Sequence, residues 1–240
     1  MTTRIALVAA ALGVTSAFAA TSVATVGDSF ADAFYMGMWS QPNLLKKHDI
    51  QLVRWSRPII GLTRVDFFDY PAWLRNKDLG SVDVCVVQIG TNDMQSIQAD
   101  GKWVKFATDR WNSVYTGRVR AVQETLLAQR CKQTIWVLQP GYEMNRFLRE
   151  HRETINRVQS AALNPSRTLV LETSAKAQDY GKDKIHYNGK FDLKLGQAMF
   201  RLIMAWRQAA PPACFSCHSK VDVSNRLSID SLAPLKIAHR

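Results

Sequence analysis

Apolar and polar positions along this chain switch between two periods. Val23, Ala24, Thr25 and Val26 form a continuous, partly β-branched run, after which Phe30, Ala33, Phe34 and Met38 recur at helical spacing. The pattern predicts a buried strand, then a helix, with Gly27-Asp28-Ser29 at the join. "IQLVRWS", Ile50 to Ser56, predicts a second strand, followed by the Pro- and Gly-bearing loop "RPIIGLTR". "YPAWLRNKDL" predicts a short helix with Pro71 in its first turn. The clearest strand is Val82 to Gly90, continuous and β-branched as a strand covered on both faces should be. A polar-aromatic loop then leads into a helix over Trp111 to Gln129. Gln133 to Pro140 predicts a fourth strand, Glu143 to Leu163 a helix, Arg167 to Thr173 a fifth strand and Asn188 to Arg207 the last helix. Strands alternating with helices at this spacing imply a parallel sheet between helix layers, joined by right-handed crossovers. Ligands on such sheets bind at the carboxyl ends of the strands.

The two ends of the chain read differently from the middle. Arg4, the apolar run "IALVAAALGV" and the small-x-small "AFA" of Ala17, Phe18 and Ala19 read as a signal peptide over residues 1–20, too short for a comfortable membrane span. Residues 21–208 carry the periodic elements and are expected to form one domain; 209–240, opening on Pro211-Pro212, read as a tail. The expected location is the periplasm or the medium, with no integral membrane span. Of 240 residues 47% are hydrophobic and only 12 are glycine and 8 proline, enough for a sizeable core and a composition that excludes a disordered chain.

Charge narrows the partners. The formal net charge is +11, and Arg4 is the only charge in the leader, so +10 remains on the mature chain, spread rather than blocked. Solubility is the ordinary reading of such a balance. A positive field also attracts polyanions, and export favours acidic glycans or a membrane surface over nucleic acid. Four cysteines in a chain this long are no disulfide scaffold; Cys85, inside the central strand, reads as an inert core thiol.

Chemistry gathers at the strand ends: Gly27-Asp28-Ser29 after the first, Gly61 after the second, Gly90-Thr91-Asn92-Asp93 after the third, Asp183 and His186 after the fifth. A serine on a sharp strand-to-helix turn stands clear of both elements near the positive end of the helix, which suits a nucleophile. An N-cap is the alternative for Ser29 alone. Acyl transfer further needs a base, a group to orient it and donors for the oxyanion, and each has a candidate here. Asp183 and His186, three apart in "DKIHYNG", can be presented together by one turn ahead of the last helix. Asp28 and Asp93 are read as carboxylates bonding loop backbone.

These blocks, "GDSF", Gly61, "GTND" and "DKIH", resemble in order and spacing those of the SGNH or GDSL-type hydrolases over most of Ser22 to Arg207. "GLTRVDFFDYPAWL" with "IGTNDMQ" is similar to an exported bacterial subgroup. The resemblance implies a three-layer α/β/α, flavodoxin-like fold with a five-stranded parallel sheet, and ester hydrolysis with no metal or other cofactor. It implies Ser29 as nucleophile, His186 as general base and Asp183 as its orienting partner. The oxyanion hole would be the backbone N–H groups of Ser29 and Gly61 with the Asn92 amide. The expected substrate is a small-molecule or glycan acyl ester. One departure stands out: Lys184 occupies a position usually glycine in this family, and a positive φ there would cost a lysine about 1 kcal/mol.

Other features point elsewhere. "CFSCH" in the tail, Cys214 to His218, has the spacing of c-type haem attachment, which would make the tail a redox appendage; a local disulfide, free thiols and a zinc site without an evident fourth ligand are the other readings. A non-catalytic glycan-binding or assembly protein of the same fold is a further alternative, against which the full set of Ser29, Asp183 and His186 speaks. Trp103, Phe106 and Trp111, after "GTND", are read either as a lid or sugar-binding surface or as buried packing.

Overall fold

The computed structural model describes residues 20–76 and 78–208 together with Leu227 and Ser228. In chain order the elements are β1 (Thr21–Gly27), α1 (Ser29–Trp39), α2 (Pro42–Lys47), β2 (Ile50–Ser56), α3 (Tyr70–Asn76) and β3 (Val82–Gln88). They continue with β4 (Ile97–Ala99), β5 (Lys102–Val104), α4 (Asp109–Thr125), β6 (Cys131–Val137), α5 (Arg146–Ala162), β7 (Thr168–Glu172), α6 (Gly189–Gln208) and β8 (Leu227–Ser228). Strands β2-β1-β3-β6-β7 lie parallel in that order, and β8 adds a two-residue parallel edge to β7. Helix α1 packs on α6, and α4 packs on both α3 and α5. This is the expected three-layer α/β/α, flavodoxin-like arrangement. Its strand order reverses between β1 and β3, so the crevice for a ligand opens at their carboxyl ends.

The central strands are apolar throughout because both faces are covered: Val23, Ala24, Val26, Val84, Val86 and Val87 are all buried. Two further features place the site. Gly27 and Gly90, at the ends of β1 and β3, have φ of 129° and 135°, which a side chain rarely adopts, and a Cβ on Gly27 would collide with the Gln88 carbonyl. At the α1–α6 crossing, Gly37 and Gly196 face each other so closely that a Cβ on either would run into the other helix's backbone. The last helix therefore seats directly on the first.

Several expectations change here. The segment after "GTND" is not one loop: β4 and β5 form an antiparallel hairpin turned by Asp100-Gly101, both at positive φ (52° and 71°). Helix α2, opened by Pro42, went unread in the sequence, and α4 closes in a π-turn over Leu126–Arg130. Cys85 is not a free thiol but is disulfide-bonded to Cys131. The tail is not wholly appended, since Leu227 and Ser228 join the sheet. The signal-peptide reading falls on residues 1–19, and the Cys214-Cys217-His218 reading on the tail, outside the described residues. Among the described residues no helix is long and apolar enough to cross a membrane.

Candidate active site

Ser29 is the first residue of α1, immediately beyond β1, so its N–H lies at the helix start, where no intrahelical acceptor exists. Asp28, ahead of it, is the cap. One carboxylate oxygen accepts the Phe30 N–H at 2.9 Å; the other accepts the N–H groups of Gly90 and Thr91 at 3.0 and 3.2 Å. The cap thus ties the serine turn to the end of β3. Full burial pushes Asp28 up to about 7 against those three donors. Beneath the turn the Tyr70 hydroxyl accepts the Gly27 N–H at 2.8 Å and donates to the Trp55 carbonyl at 3.0 Å, joining the ends of β1 and β2.

His186 arrives from the far end of the sequence. Its Nε2 is 2.9 Å from the Ser29 Oγ and its Nδ1 2.6 Å from the Asp183 Oδ2. The other oxygen of Asp183 accepts the backbone N–H groups of Ile185 and His186, both at 3.0 Å, closing a tight turn. Burial raises the Asp183 carboxyl, but the His186 hydrogen bond and these N–H groups outweigh it and hold it below its usual range. The imidazole lies on the Phe30 ring at 5.4 Å between centroids, which fixes its plane. The turn does need a left-handed residue: Lys184 has φ of 60°. His186 and Asp183 are half exposed, 48% and 50% by side chain, so the mouth of the site is open.

Gly61 and Asn92 lie in the loops after β2 and β3, the two strands that flank β1. The Gly61 N–H meets no acceptor among the described residues. The Asn92 amide donates one N–H to the Ile60 carbonyl at 2.8 Å, which leaves the second for a ligand. Asp93 builds the Gly61 loop: one oxygen accepts the Leu62 and Thr63 N–H groups at 2.6 and 2.8 Å and the Thr63 hydroxyl at 3.0 Å, while Tyr115 donates to the other at 2.9 Å. A Cβ on Gly61 would strike that carboxylate. Burial raises Asp93 despite its donors. Both aspartates thus bond loop backbone, which is how the sequence reads them.

A buried polar layer that sequence reading missed supports these loops. Thr91 and Tyr142 both donate to Gln139 Oε1, at 2.8 and 2.7 Å, and the Gln139 and Gln159 amides both donate to the Ile89 carbonyl at 2.7 Å. Arg118 donates to the Leu62 and Thr63 carbonyls (2.5 and 3.1 Å) and to Gln98 in β4 (2.6 Å), clamping the Gly61 loop to the hairpin. Its sequence signal is slight: Gln139 follows the apolar run Ile135–Leu138, whereas Gln159 lies in a mixed helical stretch. The three aromatics of the following segment divide: Trp111 is buried on Tyr115, Phe106 is partly covered, and Trp103 is exposed on the hairpin. One further carboxylate, Asp192 in the first turn of α6, is pushed by burial up to about 7, with the His186 charge opposing; its Oδ1 has no hydrogen-bond partner.

The site therefore brings together a hydroxyl, an imidazole and a carboxylate in one hydrogen-bonded relay, beside the loops after β2 and β3 that carry Gly61 and Asn92. Such a set can activate an oxygen nucleophile and bind a developing oxyanion. Residues 22–190 match the family described as "Protein of unknown function (DUF459)". No curated protein matches the chain. Among solved structures, a tryptophan variant of Axe2, an acetyl xylan esterase from Geobacillus stearothermophilus, superimposes with a TM-score of 0.57 at 14% identity, over 76% of this chain and 94% of that one. LAE5, described as an alpha/beta hydrolase enzyme from the metagenome of Lake Arreo, Spain, gives 0.54 at 16% identity, over 78% and 95%. A form of Axe2 described as a catalytic mutant, altered at a serine, gives 0.53 at 15% identity, over 76% and 94%. The chain shares its fold with these esterase and hydrolase structures.

Proposed function

We propose that this chain, which belongs to the DUF459 family, is a serine esterase that hydrolyses an O-acyl ester, carried by a glycan at the cell surface or in the medium. The observation that carries the reading is the unbroken relay from Ser29 through His186 to Asp183, assembled from residues 157 apart in sequence. Ser29 Oγ attacks the acyl carbonyl as His186 Nε2 takes its proton. Asp183, ionised well below neutral pH, holds the Nδ1–H tautomer and stabilises the imidazolium. The carbonyl oxygen, now an oxyanion, receives the N–H groups of Ser29 and Gly61 and the free N–H of Asn92. Collapse expels the alkoxide, which takes the proton from His186. Water then attacks the acyl-serine by the same steps in reverse roles, and the acid leaves.

The esterases of like fold support the reaction class, and the leader read in residues 1–20 and the Cys85–Cys131 disulfide support export. Hydrolysis of p-nitrophenyl acetate tests the chemistry. Ser29→Ala and His186→Ala should each lower kcat/KM by about 10³ or more, and a fluorophosphonate should add its mass to the wild type but not to Ser29→Ala. Full activity in both variants would overturn the assignment. Periplasmic or secreted location is checked by fractionating the expressing cells.

A further inference from the structure

Arg57, the first residue after β2, donates its backbone N–H to the Gly27 carbonyl at 2.8 Å, two residues from the nucleophile. Its guanidinium lies over the Phe68 ring at 4.4 Å from the centroid, and 5.7 Å from that of Trp73. A planar cation stacked this way loses side-chain freedom in advance, yet keeps its N–H edge available. No carboxylate among the described residues pairs with it. Its strand neighbour Arg54, by contrast, is bonded to Asp32 at 2.5 Å, and Arg64 to Asp66 at 2.9 Å. Lys182 and Lys184 flank Asp183, both exposed and both without an ion pair among the described residues. Of the carboxylates near these cations, Asp66 is paired with Arg64, Asp183 is bonded to His186, Asp28 and Asp93 accept buried N–H groups, Asp69 accepts the Ala72 N–H at the start of α3, and the half-buried Asp192 lies near His186. Exposed cations without an ion pair among the described residues are therefore left in the loop after β2 and in the turn that carries Asp183. The exposed Trp103, with Arg64 5.6 Å over its ring, sits on the hairpin that Arg118 clamps to the Gly61 loop, and offers an apolar face suited to a sugar ring.

From this juxtaposition we propose that the acyl ester is borne by an acidic glycan, whose carboxylates on neighbouring sugars are held by Arg57 in the loop after β2 and by Lys182 and Lys184 in the turn that carries Asp183. This deepens the esterase reading and rests on it. A guanidinium edge matches a carboxylate in two hydrogen bonds, whereas the lysines act as point charges that tolerate a shift in register along a polymer. The open mouth at His186 admits an internal segment of a chain.

The test compares O-acetylated polygalacturonate with O-acetylated xylan of matched acetyl content, with p-nitrophenyl acetate alongside. At low salt kcat/KM on the acidic polymer should exceed that on xylan by about tenfold or more. In 1 M NaCl, where charges are screened beyond about 3 Å, the preference should vanish while hydrolysis of acetylated xylan persists. Arg57→Ala should reduce the acidic-to-neutral ratio by about fivefold or more, and Arg57→Lys should restore only part of it. Should Arg57→Ala fail to fold by circular dichroism, the salt dependence of the wild-type ratio decides alone. A ratio near or below one at low salt, or one indifferent to salt, overturns the acidic substrate while xylan and p-nitrophenyl acetate hydrolysis keeps the esterase. No hydrolysis of any of the three esters overturns the esterase and this proposal together.

Discussion

Asn92 spends one amide N–H on the Ile60 carbonyl and keeps the other; in the proposed oxyanion role its loss should act on a charge present only in the transition state. Asn92→Ala is expected to lower kcat for a small ester by about 10²–10³ with KM little altered, as steady-state kinetics will show. A change confined to KM would make it a ground-state contact instead. At this scale the hydrogen-bonded relay was legible in the sequence, because Ser29, Asp183 and His186 each sit in a short block with the residue types that such chemistry uses. What holds them was not. Arg118 reaches the Leu62 and Thr63 carbonyls across 56 and 55 residues, and Gln159 reaches the Ile89 carbonyl across 70; such partners follow from helix packing and leave no local pattern. Lys184 is the instructive middle case: the strained φ was readable as a departure from glycine, and the 60° is there.

Elements set the distance between the two halves of the relay. Helix α1 begins with Ser29, and α6 begins three residues after His186, so the crossing at Gly37 and Gly196 decides where the imidazole sits over the hydroxyl. Gly196→Ala must push the helices apart. It should cost about 1–3 kcal/mol in urea unfolding and lower kcat on small esters in the folded fraction, because a backbone shift there carries the His186 loop with it. A destabilised but fully active variant would uncouple the crossing from the site. The central strands β1 and β3 were legible because they are almost wholly buried, and β2, β6 and β7 because shorter apolar runs lie between polar, Gly- or Pro-bearing segments. The hairpin of β4 and β5 was not, since three-residue strands carry too little pattern; the Asp100-Gly101 turn, with both φ positive, was the one signal available.

For the molecule as a whole, buried carboxylates set how stability responds to pH. Burial raises Asp192 from about 4 in the unfolded chain to about 7. The folded state thus binds the proton more tightly, and stability falls as pH rises between those values, then levels above about 7. Asp28 acts in the same direction. Asp192→Asn removes one such group, so its unfolding free energy should decline less from pH 5 to pH 8 than that of the wild type, by about 1 kcal/mol given that the side chain is half-buried and screened. An equal decline in wild type and variant, measured by denaturant unfolding at the two pH values, would show that burial does not shift Asp192. The seating of α6 on α1 also governs when during its own synthesis the protein can act. Ser29 is made long before its partner His186, and the helix that seats that partner ends at 208. A growing chain therefore carries Ser29 without its imidazole partner until α6 has been made. On the proposed reading, a product truncated ahead of α6 should cleave no ester, and activity should begin only when that helix docks.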